Sequence, residues 1–156
     1  MARGYSSEKD LRLLVNNPKY SDIEILCEDK KLYGSRAILA ARSEVFDGLL
    51  YNGMKESYEK QISFPTINSS AMEIVLEYTY SGSIKKESLT KDNIVEAFYA
   101  ADYFQLQDLQ NLIIKCTNRV RDHAPELLSK VVDMMPLSED SILLNLFVEI
   151  VAITAL

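Results

Sequence analysis

The segment Asp22–Glu28 alternates strictly, with Ile23, Ile25 and Cys27 on one side and Glu24, Leu26 and Glu28 on the other. Alternation with period two places successive side chains on opposite faces of a strand. Asp29-Lys30 then offers a turn and Lys31–Gly34 a return strand, although the turn lacks the favoured glycine. A lone hairpin is marginal in water and needs a cover for its apolar face. The rest of the chain must therefore supply that cover, and it reads mostly as helix.

Ser6–Asn17 predicts a short amphipathic helix capped by Ser7, with Leu11, Leu14 and Val15 along one face, stopped by Asn16-Asn17-Pro18. After the hairpin, Ser35 can cap a helix over Arg36–Ala41. Ser43 can cap a second helix, with Glu44 in its first turn and Phe46, Leu49 and Leu50 sharing a face. Gln61–Phe64 reads as a short strand ended by Pro65. Ser70-Ala71-Met72-Glu73 has the form of a capping box, opening a helix with Met72, Val75, Leu76 and Thr79 on one stripe and Gly82 at its end. Thr90 or Asp92 begins another helix, with Ile94, Ala97, Phe98 and Ala101 inward. A further helix carries Leu106, Leu109, Leu112, Ile113, Cys116 and Val120. Two amphipathic segments follow between Pro125 and Leu156, broken at Pro136, the second opened by Ser138-Glu139-Asp140. The predicted class is α+β: a helical cluster capped by a small short-stranded sheet, followed by a helical pair.

A chain of 156 residues holds one domain, or one domain with a short extension. Its net charge of −6, with scattered Lys and Arg, argues against a nucleic-acid surface. Met1–Gly4 lacks the apolar core of a signal peptide. The apolar stretch Ile142–Leu156 is shorter than the roughly twenty residues a spanning helix needs and contains Asn145 and Glu149, so no membrane partner is expected. Because it stops on Ala155-Leu156 without a cap, the natural chain is expected to continue. Cys27 and Cys116 read as reduced, packed thiols of a cytoplasmic or nuclear protein.

Chemistry is hard to find in these residues. His123 is the one histidine and has no nearby Cys or His, so neither a metal site nor a nucleophile–base pair is expected. The five glycines stand singly at 4, 34, 48, 53 and 82, which excludes a glycine-rich phosphate loop. Glu24, Glu28 and Asp29 read as edge and turn charges that discourage stray strand pairing. Tyr78, Tyr80, Tyr99 and Tyr103 read as half-buried packing with hydrated hydroxyls. No enzyme, no cofactor and no catalytic residues are expected.

An ordered set of motifs between Tyr20 and Val120 resembles the BTB/POZ family. Tyr20-Ser21-Asp22-Ile23 is similar to that family's entry into its first strand, and Ala37-Ile38-Leu39-Ala40-Ala41-Arg42-Ser43-Glu44-Val45-Phe46 to its strongest signature. Gly53-Met54-Lys55-Glu56-Ser57, Tyr78-Thr79-Tyr80-Ser81-Gly82, and Ala100-Ala101-Asp102 with Leu106, Leu109 and Cys116 continue the resemblance. One departure is Ser35, where the family often carries a histidine before the basic residue of its first core helix. Altered packing is expected there.

The resemblance implies a protein–protein interaction module spanning residues 1–120, with 121–156 similar to the 3-box that begins a BACK region. It implies a homodimer with Leu11, Leu14, Val15 and Ile38 in the interface. It also implies a contact with the N-terminal domain of cullin-3 through Met54 and Glu56, with Tyr80 as a second anchor. Such a protein would be a ubiquitin-ligase adaptor whose substrate binds a region beyond this chain. The other reading is a self-association domain of a transcriptional regulator or scaffold.

Overall fold

A computed structural model describes residues 2–53 and 59–116. The chain divides into two compact units, Met1–Ile84 and Lys85–Leu156. The expected extension over 121–156 lies outside the described residues, as does His123.

The first unit is built around a three-stranded sheet of order β2-β1-β3, with β1 at Ile23–Cys27, β2 at Lys31–Gly34 and β3 at Gln61–Phe64. β1 and β2 form the predicted hairpin, pairing Ile25 with Leu32 and Ile23 with Gly34. β3 lies parallel to β1, with Ile62 beside Ile25 and Phe64 beside Cys27. Parallel pairing needs a crossover, and two helices fill it: α2 at Arg36–Arg42 and α3 at Glu44–Tyr51. Ile23, Ile25, Leu32, Ile62 and Phe64 are buried, so the inward row predicted for β1 extends across all three strands. Cys27, at the end of that row, is only partly buried. Gly34 permits close approach here: a Cβ at this position would lie 2.9 Å from Ile25 Cδ1 and 3.1 Å from Leu39 Cδ1.

The hairpin turn does without glycine because tertiary bonds hold it. Cys27 N–H donates to Lys30 O at 3.0 Å. The Asp29 carboxylate accepts Ser69 N–H at 2.7 Å and the Ser69 hydroxyl at 2.6 Å. Those bonds tie the turn to the start of α4, Ser69–Ser81. The helix therefore begins ahead of the expected cap at Ser70. Asn68 is the N-cap, its Oδ1 accepting Ala71 N–H at 2.8 Å. Gly82 closes α4 in the left-handed conformation at φ 82°, donating to Tyr78 O.

The first helix is shorter than its apolar spacing suggests. α1 spans Ser7–Arg12 and is capped by Ser6 rather than Ser7. Leu14 and Val15 follow in tight turns, donating to Leu11 O and Arg12 O. Asn16 then takes φ 49°, and its Oδ1 accepts Tyr33 N–H at 2.9 Å on β2. Satisfying that strand N–H diverts the chain from a continued helix. A single 3₁₀ turn, Pro18–Tyr20, leads into β1.

In the second unit, α5 at Ile94–Tyr103 packs on α6 at Gln107–Cys116. Asn93 precedes α5 and accepts Thr90 N–H at 2.8 Å, so Thr90 belongs to the turn that sets up the helix. The predicted inward residues Ile94, Ala97, Phe98, Ala101, Leu106, Leu109 and Ile113 are buried; Leu112 and Cys116 are partly so. Gln110 is also buried, and donates to Asp102 at 3.3 Å.

Candidate functional site

The four residues expected at a self-association face all lie in the first unit. Leu11, on α1, is 37% exposed. Leu14, Val15 and Ile38 are half-buried, the last on α2. Both α1 and α2 pack against α4, so one helix supports the two carriers of the candidate face. Only Leu11 of these sits within α1 itself, because the helix ends at Arg12.

Met54 and Glu56 lie outside the described residues. One side chain bonds to the described chain on either side of them. Arg36, the first residue of α2, donates from Nη1 to Leu50 O at 3.2 Å and from Nη2 to Glu59 O. A guanidinium at the carbonyl end of α3 suits the helix dipole. The same residue's backbone N–H donates to Asp22 Oδ1 at 2.8 Å. The Ser35 side chain, the expected cap of α2, makes no capping bond. Asp22 substitutes for it from the head of the hairpin. This gives a physical role to the aspartate of the Tyr20–Ile23 motif, which residue spacing alone did not reveal.

Tyr80 is placed differently from a surface anchor. It is 3% exposed, and its hydroxyl accepts Ser35 N–H at 2.7 Å. Burial pushes its phenol above the usual tyrosine range, against the smaller opposing effect of the Ser35 bond. Tyr80 thus fastens α2 to α4 from inside the fold. Tyr78 is likewise buried, whereas Tyr99 is half-buried and Tyr103 exposed.

Glu24 lies on the outer sheet face between its neighbours, accepting from Gln61 Nε2 at 2.6 Å and Lys31 Nζ at 3.2 Å. Those bonds hold its carboxyl below the usual range, against a smaller effect of burial. An open groove beside it is lined by Pro18, Asp22, Tyr33 and Lys60 among others. Among the described residues, no group of three or more His, Cys, Asp or Glu side chains is placed to hold a metal ion. Nor is any helix there long and apolar enough to cross a membrane.

Comparison with known proteins agrees with this architecture. The chain is 36% identical over 104 residues to BTB/POZ domain-containing protein 9 of Drosophila melanogaster, covering 67% of this chain and 14% of that protein. It is 37% identical over 82 residues to human Kelch-like protein 6, covering 52% of this chain and 13% of that protein. The chain therefore spans only a small part of these relatives' length. Among solved structures, the BTB domain of human gigaxonin superposes with a TM-score of 0.53 at 24% identity, covering 74% of this chain and 96% of that one. At that identity the likeness concerns the fold. The pattern of the BTB/POZ domain matches residues 11–123, and this chain belongs to the BTB/POZ domain family, a family of protein–protein interaction modules.

Proposed function

We propose that this BTB/POZ domain is a homodimerising adaptor that binds the N-terminal domain of cullin-3 and so presents substrates for ubiquitination. The observation that carries the reading is Met54-Lys55-Glu56 in the segment after α3, where the ligase adaptors of the family are expected to carry a hydrophobic-x-acid contact. Arg36 binds the carbonyls of Leu50 and Glu59, which flank that segment in the sequence. Met54 would be a flexible apolar anchor and Glu56 a charged contact at its rim. Tyr80 serves from within, by holding the start of α2. Relatives named as Kelch-like and Kelch repeat proteins fit an adaptor whose substrate-binding part lies outside these residues. A helical extension over 121–156 would widen the cullin surface. Two free cysteines suit action in the cytoplasm or nucleus.

Calorimetric titration with a cullin-3 N-terminal domain tests the reading. Nanomolar binding is expected, weakened at least about thirtyfold by Met54→Ala, as for a central anchor worth ~2 kcal/mol. Glu56→Ala should weaken it less. No heat at tens of micromolar would leave self-association in a transcriptional regulator or scaffold as the function.

A further inference from the structure

We infer that Arg12 is the positioning residue of the self-association face: its guanidinium locks α1 onto α4 and so fixes the direction in which Leu11 is presented. This rests on the homodimer reading above and assigns it a residue that does not itself meet the second copy.

α1 has six residues, too few to be stable alone, and none of them is buried. Leu11, its one apolar residue, stays 37% exposed, so a firmer hold on the unit must come from polar contacts as well. Arg12 supplies that hold. Nη1 donates to Glu77 Oε1 on α4 at 2.6 Å, and Nη2 donates to Ser83 Oγ at 2.7 Å, just past the end of α4. Nη2 also reaches Glu8 Oε1 at 3.3 Å, and the Ser83 hydroxyl donates to that same oxygen at 2.5 Å. The helix is thus tied at both ends, Glu8 and Arg12, to the C-terminal end of α4.

This ion pair is not a solvated surface contact. The Arg12 and Glu77 side chains are only 17% and 13% exposed. A planar fork with donors in two directions sets an orientation that a single ammonium cannot. One residue of α-helix turns the side-chain direction by about 100°, so fixing Arg12 fixes Leu11, its neighbour. Leu11 is the most exposed of the four face residues, and its aim depends most on that rotation.

The test measures dimer dissociation by sedimentation for Arg12→Ala, Arg12→Lys and the charge swap Arg12→Glu with Glu77→Arg. Arg12→Ala should raise the dimer Kd at least about tenfold, and Arg12→Lys by less, because it keeps the charge and loses the fork. The charge swap should recover part of the loss. Hydrogen exchange is followed in the Leu11→Asp/Leu14→Asp background. There Arg12→Ala should speed exchange at the backbone amides of positions 10, 13 and 14 while leaving protection of β1 and α4 intact. An unchanged Kd for Arg12→Ala overturns the inference. So does collapse of protection throughout the unit, which would make the role merely structural. If Leu11→Asp/Leu14→Asp itself dimerises like the wild type, the face is wrong. If that variant dissociates and Arg12→Ala does not, only the role of Arg12 fails.

Discussion

The Tyr80 hydroxyl accepts the Ser35 backbone N–H at 2.7 Å, so a side chain near the end of α4 completes the start of α2. The bond spans 45 residues of sequence and lies where the ring is almost wholly buried. Removing the acceptor leaves a donor of low solvent access without its partner. Tyr80→Phe is therefore expected to cost about 1–2 kcal/mol of stability, mostly as an unsatisfied N–H. Urea unfolding measures it as a lower midpoint at unchanged slope. If Tyr80 only supports the surface, cullin affinity in Tyr80→Phe should stay within about threefold of wild type, under 1 kcal/mol. A large affinity loss without a stability loss would return Tyr80 to the contact itself.

Asp29 joins the hairpin turn to α4, and its bonds make the joint sensitive to acid. The Ser69 hydroxyl, then the Ser69 N–H, hold its carboxyl below the usual range, against a smaller effect of burial. A folded-state pKa lower than the unfolded one means the stabilisation is complete above the unfolded value. It is lost as pH falls through the folded value. Asp29→Asn should therefore flatten the fall in stability on acidification below about pH 5, with little change in slope above it. Denaturant midpoints collected across that pH range provide the comparison. Parallel curves for variant and wild type would show that the carboxylate contributes no pH dependence.

Cys27 should be chemically quiet. Burial raises its thiol to about 11, with the Asp29 and Glu73 carboxylates adding to the effect. Because the thiolate is the reactive form, its alkylation at pH 8 should run about a hundredfold slower than that of an unhindered cysteine, the ratio set by the rise from about 9 to about 11. Timed iodoacetamide labelling with peptide mass spectrometry reads this directly. Denaturation should restore the ordinary rate. Fast labelling of Cys27 in the folded protein would mean that the turn over it opens readily.

The local elements were largely legible in the sequence. The alternation of Ile23, Ile25 and Cys27 marked β1, and Ser43 with Glu44 marked α3, where Ser43 does accept Phe46 N–H at 3.3 Å. Gly82 ended α4 as expected, since a left-handed residue at that point favours glycine. The errors fell where a distant group competed for a local role. Asn68 capped α4 instead of Ser70, with Ser69 engaged by Asp29. α1 stopped at Arg12, and Asn16 turned to satisfy a strand N–H. Tyr80 had the residue type of a surface anchor and became an internal fastener.

Periodicity and capping chemistry act within a few residues, so the chain alone determined which segments become strands and helices and that they must cover one another. It also carried the motifs of its family. Which polar groups meet across the fold was decided only by tertiary structure: Arg12 with Glu77, Asp22 with Arg36, Tyr80 with Ser35. Those pairings depend on packing that brings together residues 14 to 65 positions apart, and no local rule encodes them.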